Sequence, residues 1–229
     1  MKLKKIIILS CTALIFASIN TTNINAKTIK NPISTEQQKV LSSNQWKVDQ
    51  AYNLFISKTK DRKTLYKTDK KTGASNSANL LSENSDDTYP TRSGVILVTS
   101  DSNLLGFHYG HAGIVLTPST TVESMQNGVA RFPNTWNSRY NAVKGITVKD
   151  TTITQDAEAS QWCDEQVGKP YNWNFFNTST RSRFYCSQLV WAAFHDLYGI
   201  NIDADSSIPG VIIPVDLPNQ SDVTTIYVK

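Results

Sequence analysis

The chain has 229 residues and a formal net charge of +4, enough for one domain of ordinary size with extensions. Its three cysteines exclude a multi-bridge disulfide framework, so an apolar core must hold the fold. Beyond Ala26 no apolar run reaches the roughly 20 residues that a helix needs to cross a bilayer. The net charge conceals a split. Residues 27–71 carry 11 Lys/Arg against 4 Asp/Glu, a net +7, whereas residues 72–229 carry 9 against 15, a net −6. The basic stretch suits contact with anionic wall polymers, lipid head groups or nucleic acid, but a solvated lysine-rich face is the simpler reading, and no nucleic-acid partner is expected.

In chain order, Lys2, Lys4 and Lys5 precede an apolar run from Ile6 to Ile19 and the small-residue site Ile24-Asn25-Ala26. That layout predicts a secretory signal peptide over residues 1–26 and a secreted or cell-wall-associated protein. Ile8-Leu9-Ser10-Cys11 is a poorer match to a lipoprotein box, because few apolar residues precede the cysteine. Cleavage after Ala26 leaves Cys163 and Cys186, which a secreted protein could join as a disulfide. Ser34 to about Lys58 reads as a helix. Ser34-x-x-Gln37 and Thr35-x-x-Gln38 fit capping boxes, and Val48, Ala51, Tyr52, Phe55 and Ile56 share a face. Residues 58–92 are lysine-rich, then rich in Ser, Asn and Asp, the texture of a linker. The boundary falls near Tyr89-Pro90, giving a basic N-terminal helix and linker over 27–90 and a second domain over 91–229.

Short β-like runs follow: Val95 to Thr99, Ala112 to Leu116, Val122 to Met125, Gly128 to Phe132 and Val143 to Lys149, separated by turns such as Asp101-Ser102-Asn103, Pro118-Ser119 and Asn127-Gly128. The spacers are too short for crossover helices, so antiparallel pairing is expected. A helix is predicted over Asp156 to Val167, with Ala159, Trp162, Cys163 and Val167 on one stripe and Gly168 as its stop. Another spans Cys186 to Tyr198 and ends at Gly199. A final strand covers Val223 to Val228. No internal repeat is visible. The fold class is α+β, a small antiparallel sheet packed against helices.

Cys186 is the candidate nucleophile. It opens an apolar helix after the irregular segment 177–183, where unpaired N–H groups and the dipole favour a thiolate, with Arg181 and Arg183 as possible contributors to the field. Those N–H groups can also receive an oxyanion. A small buried apolar residue is the competing reading. Cys163 lies mid-helix on the apolar stripe and reads as core. Of the three histidines, His195 is about two and a half turns along the helix of Cys186, too far to touch it. His108 reads as a loop residue, and His108-x-x-His111 is a weak metal signal because extended chain points the two side chains to opposite faces. His111 immediately precedes a buried-looking strand between small neighbours, as a general base requires, although a structural histidine is the commoner case. Glu123 lies across the turn at Pro118-Ser119, and a hairpin would bring it within a residue or two of opposite His111. A carboxylate between Val122 and Met125 is out of character there, so it either orients the imidazole or faces outward.

These residues lie in four ordered motifs: Gly110-His111-Ala112-Gly113-Ile114-Val115; Val122-Glu123-Ser124 with Gly128-Val129; Gly168-Lys169-Pro170-Tyr171-Asn172; and Tyr185-Cys186-Ser187-Gln188-Leu189-Val190-Trp191. Together with the tail Ile208-Pro209 to Pro214-Val215-Asp216-Leu217, the set resembles the circularly permuted NlpC-type cysteine hydrolases, closest to their YiiX/YebB-like branch. The resemblance covers about Ser93 to Lys229. It departs from the family where Gly94 is followed by Val95 in place of the usual Gly-Asp. It implies a permuted papain-like fold with histidine ahead of cysteine in the chain. Cys186 then matches the nucleophile, His111 the base, Glu123 the polar group behind the histidine, and Tyr171 a tyrosine beside the substrate. The chemistry implied is amide or peptide hydrolysis through a thioester, with no metal or organic cofactor. Secretion makes the peptides of cell-wall peptidoglycan the expected substrate. Two other readings stand beside it: a lipid acyl hydrolase or acyltransferase, like the lecithin:retinol acyltransferase-like proteins of the same permuted arrangement, and a non-catalytic wall-binding protein.

Overall fold

The computed structural model describes residues 33–57, 88–102 and 108–229. The signal peptide expected over residues 1–26 and residues 58–87 of the expected linker lie outside the described residues. The described strands are β1 (Ile96–Thr99), β2 (His111–Thr117), β3 (Thr120–Met125), β4 (Gly128–Pro133), β5 (Val143–Val148) and β6 (Val223–Val228). They form one sheet in the order β4-β3-β2-β1-β5-β6, antiparallel throughout. Tight turns join β2 to β3 and β3 to β4, as the short spacers require.

Strand alternation divides the core into two layers. Ile96, Val98, Ala112, Ile114, Val122 and Ile146 are fully buried and belong to the larger apolar cluster with residues of helices α4 (Ile153–Asp164) and α5 (Cys186–Tyr198). Val95, Leu97, Val115, Val143 and Tyr227 form a second cluster around Trp136, which belongs to the one-turn helix α3 (Trp136–Arg139). The α+β architecture read from the sequence is therefore the observed one.

Helix α5 begins at Cys186 and ends at Gly199, whose φ of 69° is the left-handed stop glycine supplies cheaply. Helix α4 starts three residues before the predicted Asp156. The earlier start comes from Thr152, which accepts the Gln155 N–H at 3.2 Å while the Gln155 side chain accepts the Thr152 N–H at 2.9 Å. Residues 165–168 form turns, so Val167 is exposed instead of lying on the apolar stripe. The 3₁₀ helix Pro214–Asn219 was not anticipated, since proline-broken turns leave no period to read.

The helix expected over 34–58 is two helices, α1 (Thr35–Ser43) and α2 (residues 45–57). Ser34 caps α1 by accepting the Gln37 N–H at 3.2 Å. Asn44 breaks the run because its side-chain amide donates to the Val40 carbonyl at 2.9 Å, offering the backbone an alternative partner. Leu41, Val48, Ala51 and Phe55 from these helices belong to the same apolar cluster as the sheet and α5. Phe55 is fully buried, with the Lys144 ammonium of β5 4.4 Å from its ring centroid.

Because the buried face of α2 is part of the main core, Phe55→Ala should destabilise the protein by about 3–5 kcal/mol, the usual cost of emptying a buried phenylalanine site. Chemical denaturation should show it. A change below about 0.5 kcal/mol, the range of surface substitutions, would mean that the segment is a dispensable arm.

Candidate active site

The sequence around His111 leaves little freedom. Gly110 has φ +81°, and a Cβ there would lie 2.3 Å from the Thr99 carbonyl oxygen, so only glycine allows β2 to begin at this point. The next side chain is His111, 5% exposed. Alternation places it on the sheet face of Val115 and Trp136, and its ring stacks on the Trp136 indole at 5.2 Å between centroids.

Glu123 pairs with Gly113 in the β2–β3 register, two residues from the position opposite His111. The missing side chain of Gly113 makes room for it: a Cβ there would lie 2.8 Å from Glu123 Cγ and 3.0 Å from the Trp136 ring. Glu123 Oε2 lies 2.9 Å from His111 Nε2. Its Oε1 accepts from Thr121 Oγ1 at 2.6 Å, Trp136 Nε1 at 2.8 Å and the Arg139 guanidinium. Glu123 is fully buried. Burial would raise its pKa, but the hydrogen bond and charge of His111, with Thr121 and Arg139, hold it down to about 2. It is a charged group held inside the protein, not an outward-facing residue.

His111 also acts on Cys186, the first residue of α5. Burial alone would lower the His111 pKa, but its hydrogen bonds to Cys186 and Glu123 raise it to about 9. Burial likewise opposes ionisation of Cys186. The hydrogen bond and charge of His111, and the backbone N–H groups of Ala112 and Ser187, outweigh it and hold the thiol below its ordinary value. Both shifts run the same way: each favours the charged form of its group, so the arrangement favours passing the thiol proton to the imidazole.

Buried hydrogen bonds fix the chain on either side of the thiol. Ser124 Oγ donates to the Phe184 carbonyl at 2.6 Å, Ser187 Oγ to the Ile212 carbonyl at 2.7 Å, and Gln188 Oε1 accepts from Tyr185 N at 3.2 Å and Asn172 Nδ2 at 2.9 Å. The backbone bridge between Tyr171 and Phe184 places Tyr171 in the wall of a cleft that also holds Cys186 and His111.

Other residues are placed elsewhere. Arg181 pairs with Asp196 through two contacts of 2.6 Å, and Arg183 is exposed. Neither is among the groups acting on Cys186, whose field comes from His111 and the helix start. Cys163 is fully buried, burial pushes its thiol far up, and both cysteines are free thiols. His195 lies against Trp191, and exposed His108 against Tyr52 of α2, 4.8 Å between centroids. The sequence reading missed Thr121, Trp136 and Arg139. The only signal available was indirect: a buried carboxylate demands donors, and Trp136-x-x-Arg139 has the spacing of one helical turn.

Three comparisons bear on this arrangement. Residues 94–214 match the model of a family described as permuted papain-like amidase enzymes, YaeF/YiiX, C92 family. The chain is 28% identical over 142 residues to the uncharacterized protein YycO of Bacillus subtilis (strain 168), covering 60% of this chain and 56% of that protein. It thus spans little more than half of that relative's length. It is also similar to the crystal structure of the metalloprotein yiiX from Escherichia coli O157:H7, with a TM-score of 0.47 and 17% identity over 61% of this chain and 98% of that one.

The electrostatics predict thiol reactivity. Iodoacetamide should alkylate Cys186 well below pH 8.5, about where a free thiol titrates, and spare Cys163 in the folded protein. Glu123→Gln removes a charge that favours the imidazolium, so the acid limb of the Cys186 rate profile should move to higher pH. Peptide mass mapping across pH reads both effects, and equal labelling of the two cysteines would contradict the ion pair.

Proposed function

The chain belongs to the permuted papain-like amidase family and is a cysteine hydrolase, and from that premise we propose that Cys186, His111 and Glu123 carry its chemistry. The observation that supports this reading is the hydrogen-bonded series from a charged, buried Glu123 through His111 to the thiol at the start of α5.

The steps follow from the charge states. The Cys186 thiolate attacks the substrate carbonyl carbon, and negative charge develops on the oxygen beside the α5 N-terminus, where N–H groups stabilise it. The imidazolium of His111 gives its proton to the leaving amine as the C–N bond breaks, leaving a thioester on Cys186. His111, now neutral, takes a proton from water as the hydroxide adds to the thioester. Release of the acid then restores the thiolate–imidazolium pair. Glu123 keeps one nitrogen of the ring occupied and the other aimed at the sulfur.

For the substrate, the first reading is an amide or peptide bond in cell-wall peptidoglycan. It rests on the secretory layout of residues 1–26 and on the family's amidase chemistry, with the basic stretch 27–71 as a contact for anionic wall polymers. A second reading, hydrolysis or transfer of a lipid acyl group, is favoured by the cleft. Tyr109, Phe175, Val211, Ile212 and Ile213 line it, and no Asp, Glu, Lys or Arg side chain is among its described lining residues. Mass spectrometry of peptidoglycan fragments and of phospholipids, each incubated with the wild type and with Cys186→Ala, separates the two readings. A product that forms in one set and needs Cys186 identifies the substrate.

On the substrate so identified, Cys186→Ala should abolish turnover and His111→Ala should be nearly as damaging. Glu123→Gln should retain more activity than either, and Glu123→Ala less than Glu123→Gln, because alanine strands the buried Trp136 donor. Acid–base groups contribute about 10²–10⁴-fold, and the orienting carboxylate should fall toward the low end. Activity should decline at alkaline pH near the His111 pKa of about 9, as the imidazolium loses the proton that the leaving amine needs. Full activity in His111→Ala would rule out this base. Circular dichroism must first show that each variant folds.

A further inference from the structure

Helix α1 lies outside residues 94–214, the part that matches the family model. Even so, its Leu41 is 1% exposed and lies in the wall of the cleft that holds Cys186 and His111. We infer that α1 is a wall that this chain adds to the hydrolase domain, and that Leu41 sets the size of the apolar group that fits beside Cys186. The inference rests on the reading of Cys186 as the reactive thiol.

Three observations carry it. The first is attachment: α1 is held at both ends. Gln37 Nε2 donates to Asn174 Oδ1 at 3.0 Å, on the segment that leads from Tyr171 to Phe175. Beyond Asn44, Val48 and Phe55 of α2 are fully buried in the main core. A wall anchored in this way holds its shape when a ligand enters. The second is chemistry: Leu41 faces a cleft with largely aromatic and aliphatic walls and no Asp, Glu, Lys or Arg among its described lining residues. Apart from His111 and Cys186, which the chemistry uses, no charged group is among the described lining residues, so shape and apolar area carry much of the discrimination there. The third is position: α1 contributes nothing to the hydrogen-bond series of Glu123, His111 and Cys186, so its contact with the cleft acts on what binds and not on proton transfer. One methylene in an apolar pocket discriminates by about 10–200-fold. Truncating or enlarging one lining residue should therefore be measurable.

Alkylation tests this without a known substrate, since the thiolate displaces iodide and forms a thioether in one step. The rate of Cys186 alkylation is measured by intact-protein mass spectrometry with iodoacetamide and with N-hexyl- and N-benzyl-iodoacetamide. The quantity read is the ratio of the large-reagent rate to the iodoacetamide rate. Leu41→Ala should raise that ratio by at least about tenfold, and Leu41→Trp should lower it by a similar factor, within the range for apolar pockets. Opposite signs distinguish a wall from general loosening, which moves both variants the same way. If either variant fails to melt cooperatively, Leu41→Val and Leu41→Phe replace them, with smaller shifts in the same directions. Ratios that stay at the wild-type value, or move together, would overturn the inference while leaving Cys186 in its role. If none of the reagents alkylates Cys186 in the wild type, the reading of Cys186 falls and the wall falls with it.

Discussion

Everything at the site depends on a carboxylate kept ionised where water cannot reach it. Moving a lone carboxylate out of water costs several kcal/mol even after relaxation, and Glu123 is fully buried. It stays charged because each oxygen is matched. Oε2 meets His111, while Oε1 takes three donors from Thr121, Trp136 and Arg139. The carboxylate is balanced by the Arg139 guanidinium and by a His111 imidazole whose pKa is raised to about 9. The balance explains how it can be buried, and it also couples the members. The charge of Glu123 raises the His111 pKa, and the charge of His111 lowers that of Cys186. A thiol far from the carboxylate thereby depends on donors it never touches.

The fold supplies this balance from separate elements. Residues 111 and 123 come from adjacent strands whose diagonal contact is set by the β2–β3 register, and Gly113 leaves the space in which Glu123 and Trp136 meet. Arg139 and Trp136 come from a single turn of helix after β4. The thiol comes from the start of α5, tied to β3 through the Ser124–Phe184 hydrogen bond. A one-residue slip of β3 against β2 would send Glu123 to the helix-covered face beside Ala112 and Ile114, since side chains alternate strictly along a strand. The carboxylate would then be buried without donors, so the electrostatics of the site themselves disfavour the wrong register.

How far these features could be read from the sequence follows from the range of the signals. Helix α5 was legible to the residue because its apolar period runs unbroken from Leu189 to Leu197 and stops at Gly199. The strands were legible because Pro118-Ser119 and Asn127-Gly128 punctuate them. The approach of Glu123 to His111 was visible as a hairpin spacing, but the register was not, since a turn of unknown type leaves one or two residues of freedom. Trp136 and Arg139 were invisible because a four-residue helix is too short to carry a period. The break at Asn44 was equally hidden: it depends on one side-chain hydrogen bond to Val40, whereas the apolar positions run on across it. Leu41 looked like any apolar residue of an amphipathic helix. Only the packing of α1 against the segments around Asn174 and the cleft separates it from the rest.

The two faces of the sheet divide the work. Glu123, Trp136 and Arg139 belong to the face of the smaller cluster, where Tyr140 packs edge-on against Trp136 at 4.9 Å. None of these residues lines the cleft. A ligand therefore meets the output of the charge network at Cys186 and His111, among largely aromatic and aliphatic walls in which Ser102, Ser124 and Gln126 are polar points. The separation has a physical consequence for each side. Charges hidden from the ligand are not resolvated or re-paired when it binds, so the pKa values that prepare the thiol persist through binding. The apolar walls exert no directional preference, so their part in selectivity comes from volume and contact area. Substitutions in the cleft can then change what binds without disturbing the thiol, and substitutions in the network can change the thiol without altering the cleft. A protein built this way can vary its specificity through an added element such as α1, because that element touches only the apolar side.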